Sequence, residues 1–165
     1  MGSTPSVSAN ANGDVVMAYR TSTGEINFWA GTATEGESAV SWLRKGTLAV
    51  SDIDLAEPAI QINDDRWVVA VYRFGPRPDP GRHGLMLASK AGHLQDGRIN
   101  WGKLQVLGDG RMPSLKIDGD DVELIYQNAD GAGRRLMTGV ISVGSSSISS
   151  PRTGWTGRTA RSVPR

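Results

Sequence analysis

Apolar and polar residues alternate in short bursts along this chain, and the bursts recur in one order. A proline opens the first run, Pro5-Ser-Val-Ser-Ala9. A polar turn, Asn12-Gly13-Asp14, then leads into Val15-Val-Met-Ala-Tyr19-Arg20. In the second copy, Pro58-Ala-Ile-Gln-Ile62 leads through Asp64-Asp65-Arg66 to Trp67-Val-Val-Ala-Val-Tyr72-Arg73. In the third, Pro113-Ser-Leu-Lys-Ile117 leads through Asp118-Gly119-Asp120 to Val122-Glu-Leu-Ile-Tyr126-Gln127. The prolines stand 53 and 55 residues apart, and each copy closes on a tryptophan: Trp42, Trp101 and Trp155. Period-two alternation between turn residues predicts β-strands. No stretch sustains the i, i+3, i+4, i+7 pattern of a helix.

Four strands fit each copy. Strand A is the proline-led run, Pro5–Ala9 in the first copy. Strand B, Val15–Arg20, follows a turn (Asn10–Asp14) of residues that tolerate positive φ. Strand C is Glu25–Thr32, with Leu85–Ala91 and Leu136–Ser142 as its counterparts. Strand D runs from near Val40 through Trp42 to near Val50, and its counterparts are Ile99–Leu107 and Gly154–Val163. The expected fold is all-β, with about twelve strands in three four-stranded sheets. These fall at approximately 5–57, 58–112 and 113–165 within one domain, 1–165. A repeat of this length built from short strands reads as a propeller blade. Three blades are fewer than the roughly four to eight that close a ring. The expectation is therefore a homodimer of six blades, with blade three of each chain against blade one of the other. A nine-bladed homotrimer meets the same burial requirement.

Composition narrows the class. Hydrophobic residues make up 38% of the chain, and 21 glycines and 8 prolines supply the punctuation that many short strands need. Basic and acidic residues, 18 and 17, nearly cancel, so charge gives no reason to expect nucleic acid or an anionic membrane as partner. Cysteine is absent, which excludes disulfides and thiolate chemistry and leaves the compartment open. No apolar run approaches the roughly 18 residues of a membrane helix. Met1-Gly-Ser-Thr4 lacks an apolar h-region, so no signal peptide is expected.

The proline-led strand, the Asn/Asp/Gly turn and the hydrophobic strand ending in an aromatic resemble the repeats of sialidase-like (BNR, Asp-box) β-propellers. Asp96-Gly97 ahead of Ile99-Asn100-Trp101-Gly102-Lys103 is similar to the Asp-box that joins strands C and D in that family. The full box reads Ser-x-Asp-x-Gly-x-x-Trp. The position five before the tryptophan is Glu37, Asp96 and Ser150 in the three copies, and the second copy places its glycine one residue early. The resemblance implies a six-bladed propeller. For a hydrolase of this type it also implies an arginine cluster on a substrate carboxylate, an Asp acid/base and a Tyr/Glu nucleophile. Arg20, Arg73 and Arg111, with Asp52, Asp54 or Asp109 and Tyr72, are the residues here that could supply such groups.

Strand alternation places the B–C loops and D–A connections at one end, and the A–B and C–D turns at the other. The first end holds the unusual residues. Strand B closes three times on an aromatic beside a planar hydrogen-bonding group: Tyr19-Arg20, Tyr72-Arg73 and Tyr126-Gln127. Such a pair suits a polyol, the ring taking a C–H face while Arg or Gln bonds hydroxyls or a carboxylate. The competing reading makes the tyrosines repeat packing and the arginines their solvated neighbours. The D–A connections add Asp52, Asp54, Asp109 and Arg111, and the B–C loop of the second copy, 74–84, is enlarged and stiffened by prolines.

The two histidines, His83 and His93, have no metal-ligand spacing, and no nucleophile elbow, phosphate loop or dinucleotide fingerprint occurs. The acidic A–B turns lack a calcium-loop ligand run. No metal or cofactor is expected. The expected function is a carbohydrate-binding, lectin-like module in which repeated weak sites gain strength by multiplicity. A sialidase-like glycoside hydrolase and a non-catalytic protein-interaction scaffold are the alternatives.

Overall fold

The computed structural model describes residues 4–34, 36, 39–50, 57–74, 86–128, 133–142 and 152–156. Among them are thirteen strands and no helix. β1 (Ser6–Ala9), β2 (Asp14–Arg20), β3 (Glu25–Ala33) and β4 (Val40–Val50) form sheet one, antiparallel and in chain order. Sheet two holds β5 (Ala59–Ile62), β6 (Trp67–Phe74), β7 (Met86–Gln95), β8 (Arg98–Trp101) and β9 (Gln105–Asp109). Sheet three holds β10 (Arg111–Asp118), β11 (Asp121–Gln127), β12 (Arg134–Ser142) and β13 (Arg152–Thr156).

The extra strand comes from the second copy. Its fourth strand, expected as one run over Ile99–Leu107, is broken at 102–104, and β8 and β9 pair with β7 in succession. Arg111 and Asp109, expected in a D–A connection, stand instead in β10 and β9, with Gly110 alone between the strands. β13 covers the start of the third strand D, while 157–165 lie outside the described residues.

Alternation explains how the sheets pack. Val68, Ala70 and Tyr72 of β6 join Ile60 and Ile62 in one core with Val16, Ala18, Ile26, Phe28 and Ala30 of sheet one. The intervening Val69 and Val71 join Ala59, Leu87 and Ala91 in a second core with Leu115, Val122, Leu124 and Tyr126 of sheet three. Sheet two is covered on both faces, which is why β6 reads as a continuous apolar run. Each Val, Leu or Ile buried this way contributes about 1.5–3 kcal/mol relative to exposure.

The two outer faces differ. Val7, Val15, Met17 and Tyr19 occupy the places that Ile60, Val68, Ala70 and Tyr72 hold in sheet two. There the preceding sheet covers them; here Val7 is 55% exposed, and Met17 and Tyr19 are half-buried. Trp29 and Trp42 extend this apolar face, with ring centroids 6.2 Å apart. The outer face of sheet three is mixed, with Ile125 and Val140 exposed beside charged residues. Glu123, Arg134 and Thr138 are exposed where sheets one and two bury Val16 or Val69, Ile26 or Leu87, and Ala30 or Ala91.

Small repeated devices fix each copy. A glycine faces each closing tryptophan across the ladder: Gly31 with Trp42, Gly92 with Trp101, Gly139 with Trp155. The expected equivalence of the three tryptophans therefore holds. A Cβ on Gly92 would lie 2.9 Å from Trp101 Cε3, so glycine is what lets the indole lie over the strand. Asn10 and Asn63 each clamp their own turn and the next sheet. Oδ1 accepts the N–H of Asp14 (2.9 Å) or Trp67 (2.7 Å), and Nδ2 donates to the carbonyl of Asn63 (3.0 Å) or Gly119 (2.7 Å). Ser6 and Ser8 hydroxyls accept the Ile60 and Ile62 N–H groups at 3.1 and 3.2 Å, so side chains satisfy the open edge of β5.

Candidate ligand-binding site

β2, β6 and β11 deliver the three aromatic–polar pairs to one end of their sheets. Tyr72 is wholly buried between sheets one and two, and Tyr126 is buried between sheets two and three. Gly110 passes so close that a Cβ there would lie 2.5 Å from Tyr126 Cδ2 and 2.7 Å from Leu87 Cδ1. Rings buried in this way offer no face to a sugar, so packing accounts for Tyr72 and Tyr126. Burial pushes the Tyr72 phenol up to about 12, and its hydroxyl has no hydrogen-bond partner among the described residues. Tyr19, in the same sequence context, is half-buried on the uncovered face of sheet one.

The polar partners point to the opposite faces. Arg20 and Arg73 are both buried, Arg73 with 2% of its surface exposed. Burial, and then the Arg111 guanidinium, lower the pKa of Arg73, while Glu57 acts in the other direction. Arg111 stands opposite Gln127 in the β10–β11 register, and its Nε donates to Gln127 Oε1 at 3.0 Å. A bulge between Arg111 and Ser114, with Met112 at φ +52, accompanies this arrangement.

The structure thus brings together Arg73, Arg111 and Gln127, with Glu57 as the opposing charge. It does not bring in Asp109, which is exposed at the end of β9 opposite Met86. Asp52, Asp54 and the loop residues 75–84 lie outside the described residues. Glu57 closes the D–A connection whose carboxylates the sequence pointed to; which of them acts on Arg73 depends on how the sheets stack. Such a cluster can orient a planar anion, because Gln127 fixes the plane of the Arg111 guanidinium.

Among the described residues no group of three or more His, Cys, Asp or Glu is placed to hold a metal ion, and no helix is long and apolar enough to cross a membrane. Compared with models of known protein families and with characterised proteins, the chain matches none of them.

Proposed function

We propose that the protein is a carbohydrate-binding module in which Arg111, oriented by Gln127 and backed by the charge of Arg73, holds the carboxylate of an acidic sugar. The observation that carries this reading is the Arg111 guanidinium held by Gln127 at 3.0 Å at the end of the sheets where Arg73 is buried. Gln127 takes the Nε of Arg111, which leaves the terminal nitrogens of the fork for the two oxygens of a carboxylate. Binding is favoured over hydrolysis because Tyr72, the nucleophile a sialidase-like site would call for, is buried and harder to ionise than ordinary tyrosine. The propeller reading belongs to the same proposal. Three meander sheets act as blades, and a second copy completes the ring by covering the apolar face of sheet one.

Calorimetric titration with a uronic acid, a sialic acid and their neutral counterparts tests the site. The acidic sugars bind and added salt weakens them; Arg111→Ala lowers their affinity at least about tenfold with the fold unchanged. Equal affinity for neutral and acidic sugars, or no effect of Arg111→Ala, removes the reading.

A further inference from the structure

We propose that the seam between sheets one and two holds a second site, for a single neutral sugar ring, at the end of the sheets remote from Arg111. A cavity of about 220 Å³ opens there. Its walls include Asp14 and Thr32, Leu43, and Arg66, Leu94 and Asp96.

The residues of this cavity depart from those of the seam between sheets two and three. Asp14 faces Thr32 across β2 and β3. The corresponding pair in sheet two is Trp67 and His93, whose rings lie 4.6 Å apart and tilted by 60°, so a pair of rings stands at that place in the next seam. Where the second sheet has aromatic bulk, the first has a carboxylate, a hydroxyl and open space, and the third again carries an aspartate, Asp121.

The backbone departs as well. Arg66 has φ +64 and Asp96 has φ +50, and these are two of the three non-glycine residues with positive φ among the described residues. In the first turn the position of Arg66 belongs to Gly13, at φ +80, with the same backbone hydrogen bond to the asparagine three residues before. Glycine takes this conformation freely and arginine does not. An arginine held there implies a task for its side chain. Its Nε donates to Asp14 Oδ2 at 2.9 Å while half of the side chain stays exposed. Asp14 is also bonded by Asn10 Nδ2 at 3.1 Å, so this carboxylate is fixed from two sides.

The lining selects a polyol. Arg66 keeps its terminal N–H groups as donors, since among the described residues only Asp14 is bonded to its side chain. Asp96 is an exposed acceptor, Thr32 offers a hydroxyl, and Leu43 and Leu94 supply apolar surface for C–H groups. Asp14, Arg66 and Asp96 carry a net formal charge of −1, which disfavours the acidic ligand proposed for Arg111. The volume is that of about seven waters of the liquid, enough for one pyranose ring.

The test is a nitrogen-15 amide titration of the full chain with a panel of neutral methyl glycosides at millimolar concentration. At least one glycoside should shift the amides of Thr32, Leu94 and Gly97 in a saturable way. Asp96→Asn, which keeps a residue tolerant of positive φ, should weaken that binding about tenfold while leaving the rest of the spectrum in place. Arg66→Gly, the residue of the first turn, should abolish it, and Arg111→Ala should leave it unchanged. The inference fails if no glycoside moves these amides, or if Asp96→Asn and Arg66→Gly bind as the parent does. Either failure leaves the acidic-sugar site standing, because that site is read at Arg111 with different ligands.

Discussion

Tyr72 is the residue where burial and hydrogen bonding conflict most openly. Its ring fills the first inter-sheet core, yet its hydroxyl has no partner among the described residues. Removing an unsatisfied buried hydroxyl relieves its desolvation, so Tyr72→Phe is expected to stabilise the fold by about 1 kcal/mol at neutral pH. The pH dependence has a definite sign. The folded-state pKa, about 12, lies above the roughly 10 of an unfolded tyrosine, so the unfolded chain loses its proton first. Stability is fully present below pH about 10, falls as pH rises from about 10 to about 12, and is level above that. The two-unit shift corresponds to at most about 3 kcal/mol. Urea midpoints measured on both sides of this window should fall further for the parent than for Tyr72→Phe. Equal falls would mean that the phenol is hydrated or bonded in the folded protein. Residue-scale polarity also separates the two proposed sites, since Arg73 and Arg111 make one end positive while Asp14, Arg66 and Asp96 leave the other slightly negative.

The strand and its turn are the units that repeat, and their departures are informative. Asn10 and Asn63 tie each A–B turn to the next sheet, whereas Asp118 holds the same place in the third copy and is exposed. An ionised Asp cannot donate, so the chain of asparagine clamps stops at sheet three. Asn63→Ala is expected to cost about 1–2 kcal/mol, because it strips the acceptor from the Trp67 N–H and the donor from the Gly119 carbonyl, which is exposed and can turn to water. Asn63→Asp should recover only the turn half of that loss. Chemical denaturation of the two variants measures both values. If Asn63→Asp equals the parent, the inter-sheet bond contributes nothing to stability.

At the scale of the molecule, coverage is unequal. Sheet two is packed on both faces, while sheet one leaves Val7, Met17, Tyr19, Trp29 and Trp42 at least partly exposed on its outer side. On the proposed ring, this apolar face is the contact surface. Closure by a second copy sets it against the outer face of sheet three, where Lys116, Glu123 and Arg134 need partners across the joint. On that proposal, light scattering gives about 35 kDa, twice the 17.6 kDa of one chain, or about 53 kDa for a threefold ring. Met17→Glu should return the protein to 17.6 kDa. A parent chain that is monomeric at micromolar concentration rules out ring closure by self-association.

The local pattern of the chain was enough to give the strands, the polar turns between them, the three copies and the equivalence of their tryptophans. Each depends on neighbours within about ten residues, where alternation and turn chemistry act directly. The face on which each strand is buried was not legible. Tyr19 and Tyr72 have near-identical surroundings in sequence, yet one is only half-buried and the other wholly enclosed, because only Tyr72 has a preceding sheet to cover it. The Asp14–Arg66 pair and the charges around Arg73 were invisible for the same reason: they join residues of different copies or connections. The break at 102–104 also escaped a pattern that reads apolar alternation and not ladder continuity. Alternation determines which side chains share a face; only the stacking of the sheets decides what that face meets.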